Sequence, residues 1–337
     1  MRRESLAMAP PILLSGFADE TSRSKLAGEQ LAAMAALGLR RYTLRFVDLG
    51  NGVKNAMQLT KAEVKQLVRM QADFGLEVAT LGSPIGKVKL CDVEDGTANK
   101  YVPFKKYLKQ DVSKACDLSA ALGTKLIRGF SFYHPKGEEP EDYLPQVIDQ
   151  LGEIAERCGQ AGLLFGLEVE ANLVGQTGKL LRTIHRKVNH PALVLIYDVG
   201  NLITQGYSPD ECFAEYEAMK PGLGWVHIKD YKPLRTDTRG GYIDEEALAD
   251  YRPVSHGSGA YERVLRDIAS GAAPVVKRMK RAGLPGVLLD LEPHVRGGGQ
   301  FGGYSGADGM GVSLRALCDL LDFLGLSYDL KGAYDLT

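Results

Sequence analysis

The chain has 337 residues, 45% of them apolar and 25% charged, enough to bury a large core and balanced like a globular enzyme rather than a disordered or fibrous chain. With 41 Lys and Arg against 42 Asp and Glu its formal charge is −1, so it lacks the bulk positive field that draws proteins to nucleic acid or anionic membranes. Neither is expected as a partner, and no apolar run approaches the length of a membrane span.

The opening MRRESLAMAPPILLSG has a basic tip but an apolar stretch broken by Pro10 and Pro11, which suits a first strand better than a signal peptide. Strand-like segments then follow in chain order: ILLSGFA, RYTLRF, EVATLG, LIRGFSF, LLFGLEVE, VLIYDVGN, WVHIKD and VLLDLEPH. Between them lie segments of helical period: SKLAGEQLAAMAALG, KAEVKQLVRMQADFG, DVSKACDLSAALG, the stretch from Tyr143 to Gly159, KLLRTIHRKV, ECFAEYEAM, AYERVLRDI with VVKRMKRAG, and SLRALCDLLDFLG. Gly38, Gly75, Gly123, Gly159, Gly283 and Gly325 stand where these helices are expected to stop in a left-handed turn.

Eight βα units with no linker, internal repeat or low-complexity tract predict a single α/β domain over residues 1–337, a (β/α)8 TIM barrel. A doubly wound sheet would usually carry a glycine-rich phosphate loop after its first strand, where this chain reads GFADET. Two long loops are expected. The polar insert from Tyr231 to Ser255 after strand seven holds Arg235, Arg239, Tyr242, Asp244, Glu245 and Glu246, and excursions at that face usually shape the substrate site. After strand eight comes RGGGQFGGYSGADGMG, which reads equally as a flexible surface loop and as an active-site lid or phosphate-binding loop. Five scattered cysteines, never paired as CxxC, suggest neither a disulfide framework nor a thiolate zinc site, and a reducing cytoplasm is the expected setting.

Four of the apolar runs end in a potential metal ligand: Glu168, Asp198, His227 and Glu292. Charges are poorly tolerated on buried strands, so carboxylates recurring at strand ends point to a shared partner that offsets their desolvation, most simply a divalent cation. Residues two apart face the same way, which adds Glu170 to Glu168, Lys229 to His227, and Asp290 and His294 to Glu292. Three carboxylates and an imidazole suit Mn²⁺ first, with Mg²⁺, Co²⁺ and Zn²⁺ as alternatives. Glu170 and Lys229 either bind substrate or act as acid and base, or else form an ion pair in the barrel mouth. Arg45 and Arg128 either hold a substrate hydroxyl or phosphate, or bridge acidic neighbours. His294 either contacts a substrate oxygen or supports a ligand carboxylate. His256 is expected in loop structure, and His134, His185 and His190 as ordinary surface residues.

The strings GFADET, LGSPIGKV, LEVEAN, YDVGN, HIKDY and LEPH, in that order and at strand ends, resemble the sugar phosphate isomerase/epimerase family of xylose isomerase-like TIM barrels over nearly the whole length. The resemblance implies metal ligation by Glu168, Asp198, His227 and Glu292, with Glu168 and Glu292 moving the proton as in epimerases of the family. Many relatives carry a histidine two or three places after the first glutamate; here the neighbourhood reads Val169, Glu170, Ala171, Asn172.

The chemistry expected is proton abstraction next to a carbonyl through an enediolate, as a sugar isomerase or epimerase. The alternative is a lyase on 3-oxo-glycosides, in which the same abstraction is followed by loss of the anomeric substituent; the resemblance extends to such deglycosidases, some of which work with a small partner subunit. Homo-oligomerisation is the other assembly expected. An abasic-site endonuclease would need a histidine-rich site and a basic groove, which six histidines and a net charge of −1 do not supply. A purely sugar-binding barrel would not need all four ligands.

Overall fold

The computed structural model describes residues 11–233, 242–271, 273–299 and 302–332. Eight parallel strands form one sheet: β1 (Ile12–Gly16), β2 (Arg41–Leu44), β3 (Glu77–Ile85), β4 (Leu126–Gly129), β5 (Leu164–Glu168), β6 (Leu193–Asp198), β7 (Leu223–Ile228) and β8 (Val287–Leu291). Consecutive strands pair from β2 to β8, β8 returns to β1, and a bridge between Phe17 and Thr43 brings β1 alongside β2, leaving a near-closed barrel. The strands that end in ligands are adjacent, so Glu168 opposes Ile196, Asp198 opposes His227, and Asp290 opposes His227 from the other side.

Local chemistry explains where the helices begin. Thr60 caps α2 (Lys61–Asp73) and Ser208 caps α6 (Pro209–Met219), each with a glutamate three residues on that reaches back to the cap. The other helices packed around the barrel are α1 (Ala27–Ala36), α3 (Ser113–Leu122), α4 (Leu144–Gln160), α5 (Gly178–Val188), α7 (Tyr261–Gly271), α8 (Ala273–Lys280) and α9 (Gly306–Phe323). Gly38, Gly75, Gly123, Gly283 and Gly325 adopt positive φ as expected, whereas Gly159 lies inside α4 and the chain turns at Gly162 (φ 71°) instead. The expected third helix from Asp111 starts at Ser113, because a wider π turn occupies Leu108–Val112.

The barrel interior is filled by side chains. Trp225, fully buried on β7, crosses toward β5, where a Cβ on Gly166 would lie 2.1 Å from its ring; only glycine admits the indole there. The same ring packs against the site, its Nε1 3.3 Å from His227 Nε2.

Both predicted loops lie at the end of the barrel where these ligands emerge. The insert is pinned by a ribbon between Asp230–Tyr231 and Tyr251–Arg252, and the Asp230 carboxylate accepts backbone N–H groups of Tyr231, Ser255, Gly257 and Gly259 at 2.8–3.2 Å. Arg235 and Arg239 fall outside the described residues, as does the basic tip of the chain. Among the described residues no helix is long and apolar enough to cross a membrane.

Candidate active site

Glu168, Asp198, His227 and Glu292 are all buried, and one ligand atom of each lies within 4.8 Å of the others. Nδ1 of His227 is the ring nitrogen turned toward the carboxylates, 3.2 Å from Glu168, 3.6 Å from Asp198 and 3.6 Å from Glu292. Glu168 Oε2 is buried and accepts no hydrogen bond, its contact with Arg128 being a 3.5 Å ion pair, so it keeps lone pairs available to a metal. Hard oxygens plus one imidazole, converging on one point, fit a divalent cation.

Fixed cations surround the cluster. Lys229 Nζ lies 2.9 Å from Asp198 and 3.2 Å from Glu292. Arg45, 1% exposed, donates to Glu292 at 2.6 Å and to Asp19 at 3.1–3.2 Å. Arg128 lies 3.5 Å from both Glu168 and Glu292. Both arginines therefore bridge acidic neighbours, and Lys229 pairs with the ligand cluster rather than with Glu170. Burial alone would raise the Glu168 carboxyl, but His227 and Arg128 outweigh it and hold the group at about 2. Against a burial penalty of the opposite sign, Glu168, Asp198 and Glu292 keep the His227 imidazole up at about 10. Lys229, His294 and the two arginines likewise overcome burial to hold Glu292 well below the ordinary carboxylate range. Asp290, which shares their strand face, is not in the cluster; it accepts from Thr43 at 2.5 Å, and burial pushes it up to about 6.

His294 faces the same cavity in a left-handed conformation (φ 52°). Its Nδ1 donates to Glu20 at 2.7 Å and its backbone N–H to the same carboxylate at 2.9 Å, while Ser305 Oγ donates to Glu20 at 2.7 Å. The glycine-rich loop is what permits this packing: a Cβ on Gly303 would sit 2.1 Å from His294 Nδ1, and one on Gly302 2.6 Å from Arg45 Cζ.

Above the cluster is a small cavity of about 40 Å³. Glu292, Lys229, His294, Arg45, Arg128 and Glu170 line it, and the insert adds Ile243, Glu245, Leu248 and Tyr251. Asn172 clamps the insert by exchanging two 2.9 Å hydrogen bonds with the Ile243 backbone. Glu170 pairs with Lys87 at 3.2 Å, yet burial still raises its carboxyl to about 8.

Glu168, Asp198, His227, Glu292, Glu170, Lys229, His294, Arg45 and Arg128 thus lie together at this mouth. Sequence reasoning missed Asp19 and Glu20 in GFADET, Lys87 in LGSPIGKV, and Asn201, whose side chain donates to Glu168 at 3.3 Å and to the Val169 carbonyl at 3.0 Å. The strand-end rule applied to the last four strands would have found the acidic pair had it been extended to the first. Of the remaining histidines, exposed His256 lies in a loop as expected, but His134, His185 and His190 are half-buried rather than ordinary surface residues.

The fold and this cluster define a class. The family model described as xylose isomerase-like TIM barrel matches residues 31–320, and the chain belongs to that family. Solved structures share the fold at low identity. A xylose isomerase-like TIM barrel protein from Mycobacterium smegmatis in complex with magnesium is 18% identical, with a TM-score of 0.59, over 93% of this chain and 96% of that one. D-psicose 3-epimerase with D-tagatose from Clostridium cellulolyticum H10 is 14% identical, with a TM-score of 0.55, over 92% and 97%. A probable 3-DHS dehydratase from Bacillus anthracis is 12% identical, with a TM-score of 0.58, over 92% and 98%. No curated protein matches the sequence at a significant level.

Proposed function

We propose that the chain is a divalent-metal-dependent sugar isomerase or epimerase that removes a proton beside a carbonyl group. The observation that carries this reading is the convergence of Glu168, Asp198, His227 and Glu292 at the floor of a cavity. These four would hold the ion, Mn²⁺ first with Mg²⁺, Co²⁺ or Zn²⁺ as alternatives. Such an ion would stabilise negative charge developing on a carbonyl oxygen and its neighbouring hydroxyl.

Glu168 and Glu292 are assigned the proton transfer. Cationic neighbours keep both ionised at neutral pH, so they accept protons; their low pKa makes them weak bases, suited to a C–H already acidified by an adjacent carbonyl. Removal by one and return by the other face inverts a stereocentre, whereas return to the neighbouring carbon isomerises. Lys229 steadies Asp198 and Glu292 and offers a donor to a substrate oxygen. Glu170 and His294 face the cavity as hydrogen-bonding partners for substrate, and Arg45 and Arg128 fix the carboxylates.

A second reading, a lyase on 3-oxo-glycosides, is favoured by the apolar wall of Phe46, Ile243, Leu248 and Tyr251, which would face an aglycone. There the electron pair left by the same proton removal expels the anomeric substituent, and a small partner subunit belongs with this reading. A cytoplasmic setting is proposed from the cysteine pattern. Incubating metal-loaded protein with keto-sugars and 3-oxo-glycosides in D₂O separates the two: deuterium in an intact sugar supports isomerisation, and released aglycone supports the lyase. Exchange with none of them overturns both.

A further inference from the structure

We propose that Lys87, Glu170 and Glu245 form a subsite that takes hydroxyl groups of an uncharged polyhydroxy substrate and turns away a phosphate or carboxylate, an inference that rests on the sugar reading above. The three come from separate segments: the turn after β3, the chain beyond β5, and the insert. Lys87 Nζ lies 3.2 Å from Glu170 Oε2 and 3.2 Å from Glu245 Oε2, and it sits 5.2 Å from the centre of the Phe130 ring. Lys87 is 5% exposed at its side chain, Glu170 10% and Glu245 12%, and all three line the cavity that holds Glu292.

Anion recognition needs cationic charge not already neutralised, or a nest of free N–H groups. Among the described residues the cations on this wall already face acids: Arg45 pairs with Asp19 and Glu292, Arg128 lies 3.5 Å from Glu168 and Glu292, Lys229 pairs with Asp198 and Glu292, and Lys87 pairs with Glu170 and Glu245. An incoming phosphate would have to displace a buried carboxylate from its cation and then lie beside it, which like-charge repulsion opposes. The trio has no net positive charge whether or not Glu170 carries a proton. A sugar hydroxyl meets no such barrier, because it donates to a carboxylate and accepts from the ammonium at once. Gly302 and Gly303, after β8, are packed against Arg45 and His294.

The test is inorganic phosphate binding by the metal-loaded full chain, measured by calorimetry for wild type, Lys87→Met, Glu245→Gln and the double variant, with circular dichroism confirming the fold of each. Glu245→Gln is expected to gain phosphate affinity by about tenfold or more, the double variant to lose that gain, and Lys87→Met alone to match wild type within about twofold. A loss of about tenfold in Lys87→Met would show that Lys87 already receives an anion and would overturn the proposal; so would absence of any gain in Glu245→Gln. Because the readout needs no turnover, failure of the D₂O exchange experiment would sink the isomerase and lyase readings while leaving this result distinguishable.

Discussion

Glu20 and His294, 274 positions apart in the chain, meet in a 2.7 Å hydrogen bond from the imidazole Nδ1 to a carboxylate oxygen. The bond turns Nδ1 to Glu20 and leaves Nε2 on the other side, 4.0 Å from Glu292. Although burial would raise the Glu20 carboxyl, His294 and Arg45 hold it below the ordinary range. Glu20→Gln keeps the shape but removes the charge that orients these donors. It is expected to destabilise the protein by about 2–3 kcal/mol in urea unfolding, the scale of charged hydrogen bonds; an unchanged midpoint would show the bond to be dispensable.

Arg45 is the shared counter-ion of Asp19, Glu20 and Glu292. Arg45→Met preserves much of the volume and strands the carboxylates, so a loss of about 3–5 kcal/mol is expected. Chemical denaturation measures it, and a change under 1 kcal/mol would mean that the acids had found other partners.

Metal uptake should release a proton. The cluster holds His227 at about 10, so near neutrality its ring is cationic and must become neutral to ligate. Affinity is therefore expected to rise with pH, by about tenfold per unit below that value, and calorimetry in buffers of different ionisation enthalpy counts the proton. Asp198→Ala and His227→Ala should lose metal stoichiometry while keeping their circular dichroism; full retention in either variant removes that residue from the ligand set.

His185 in α5 makes an independent pH prediction. Burial, reinforced by Arg182 and Arg278, depresses its imidazole to about 4 from an ordinary value near 6.5. The unfolded chain then binds more protons between those values, so stability from this group is present above about 6.5 and is lost as pH falls toward 4. His185→Gln should flatten that part of the stability profile; an unchanged slope would exclude the histidine as its source.

The clamp on the insert is testable by proteolysis. Asn172→Ala removes both hydrogen bonds to Ile243, at a cost of about 1–2 kcal/mol to local docking. Faster cleavage within residues 231–255, with an unchanged global unfolding midpoint, is the expected pattern.

The barrel was legible because alternating periods of two and 3.6 residues are local, as are the capping boxes of α2 and α6. Gly159 misled because a glycine is read as a helix stop without sight of what packs there; its missing side chain instead leaves room for His190, whose Cε1 would lie 2.7 Å from a Cβ at that position. The four ligand candidates were legible too, since a charge at the end of an apolar strand is anomalous in the sequence itself. Their partners were not. Nothing in the string tells whether Arg45 reaches a substrate or Glu292, or whether Glu170 pairs with Lys229 or with Lys87, because either choice satisfies the same strand parity.

The amino-acid order by itself thus determined the strand and helix rhythm, the parity of side chains along each strand and the residue types available to a hard cation, all set by backbone geometry and the cost of burying charge. Tertiary structure alone decided which charges neutralise one another at the mouth, because closing the sheet brings Asp19 and Glu20 after β1 against Arg45 after β2 and His294 after β8. Coulomb energy depends on distance in space, and only the folded barrel sets those distances.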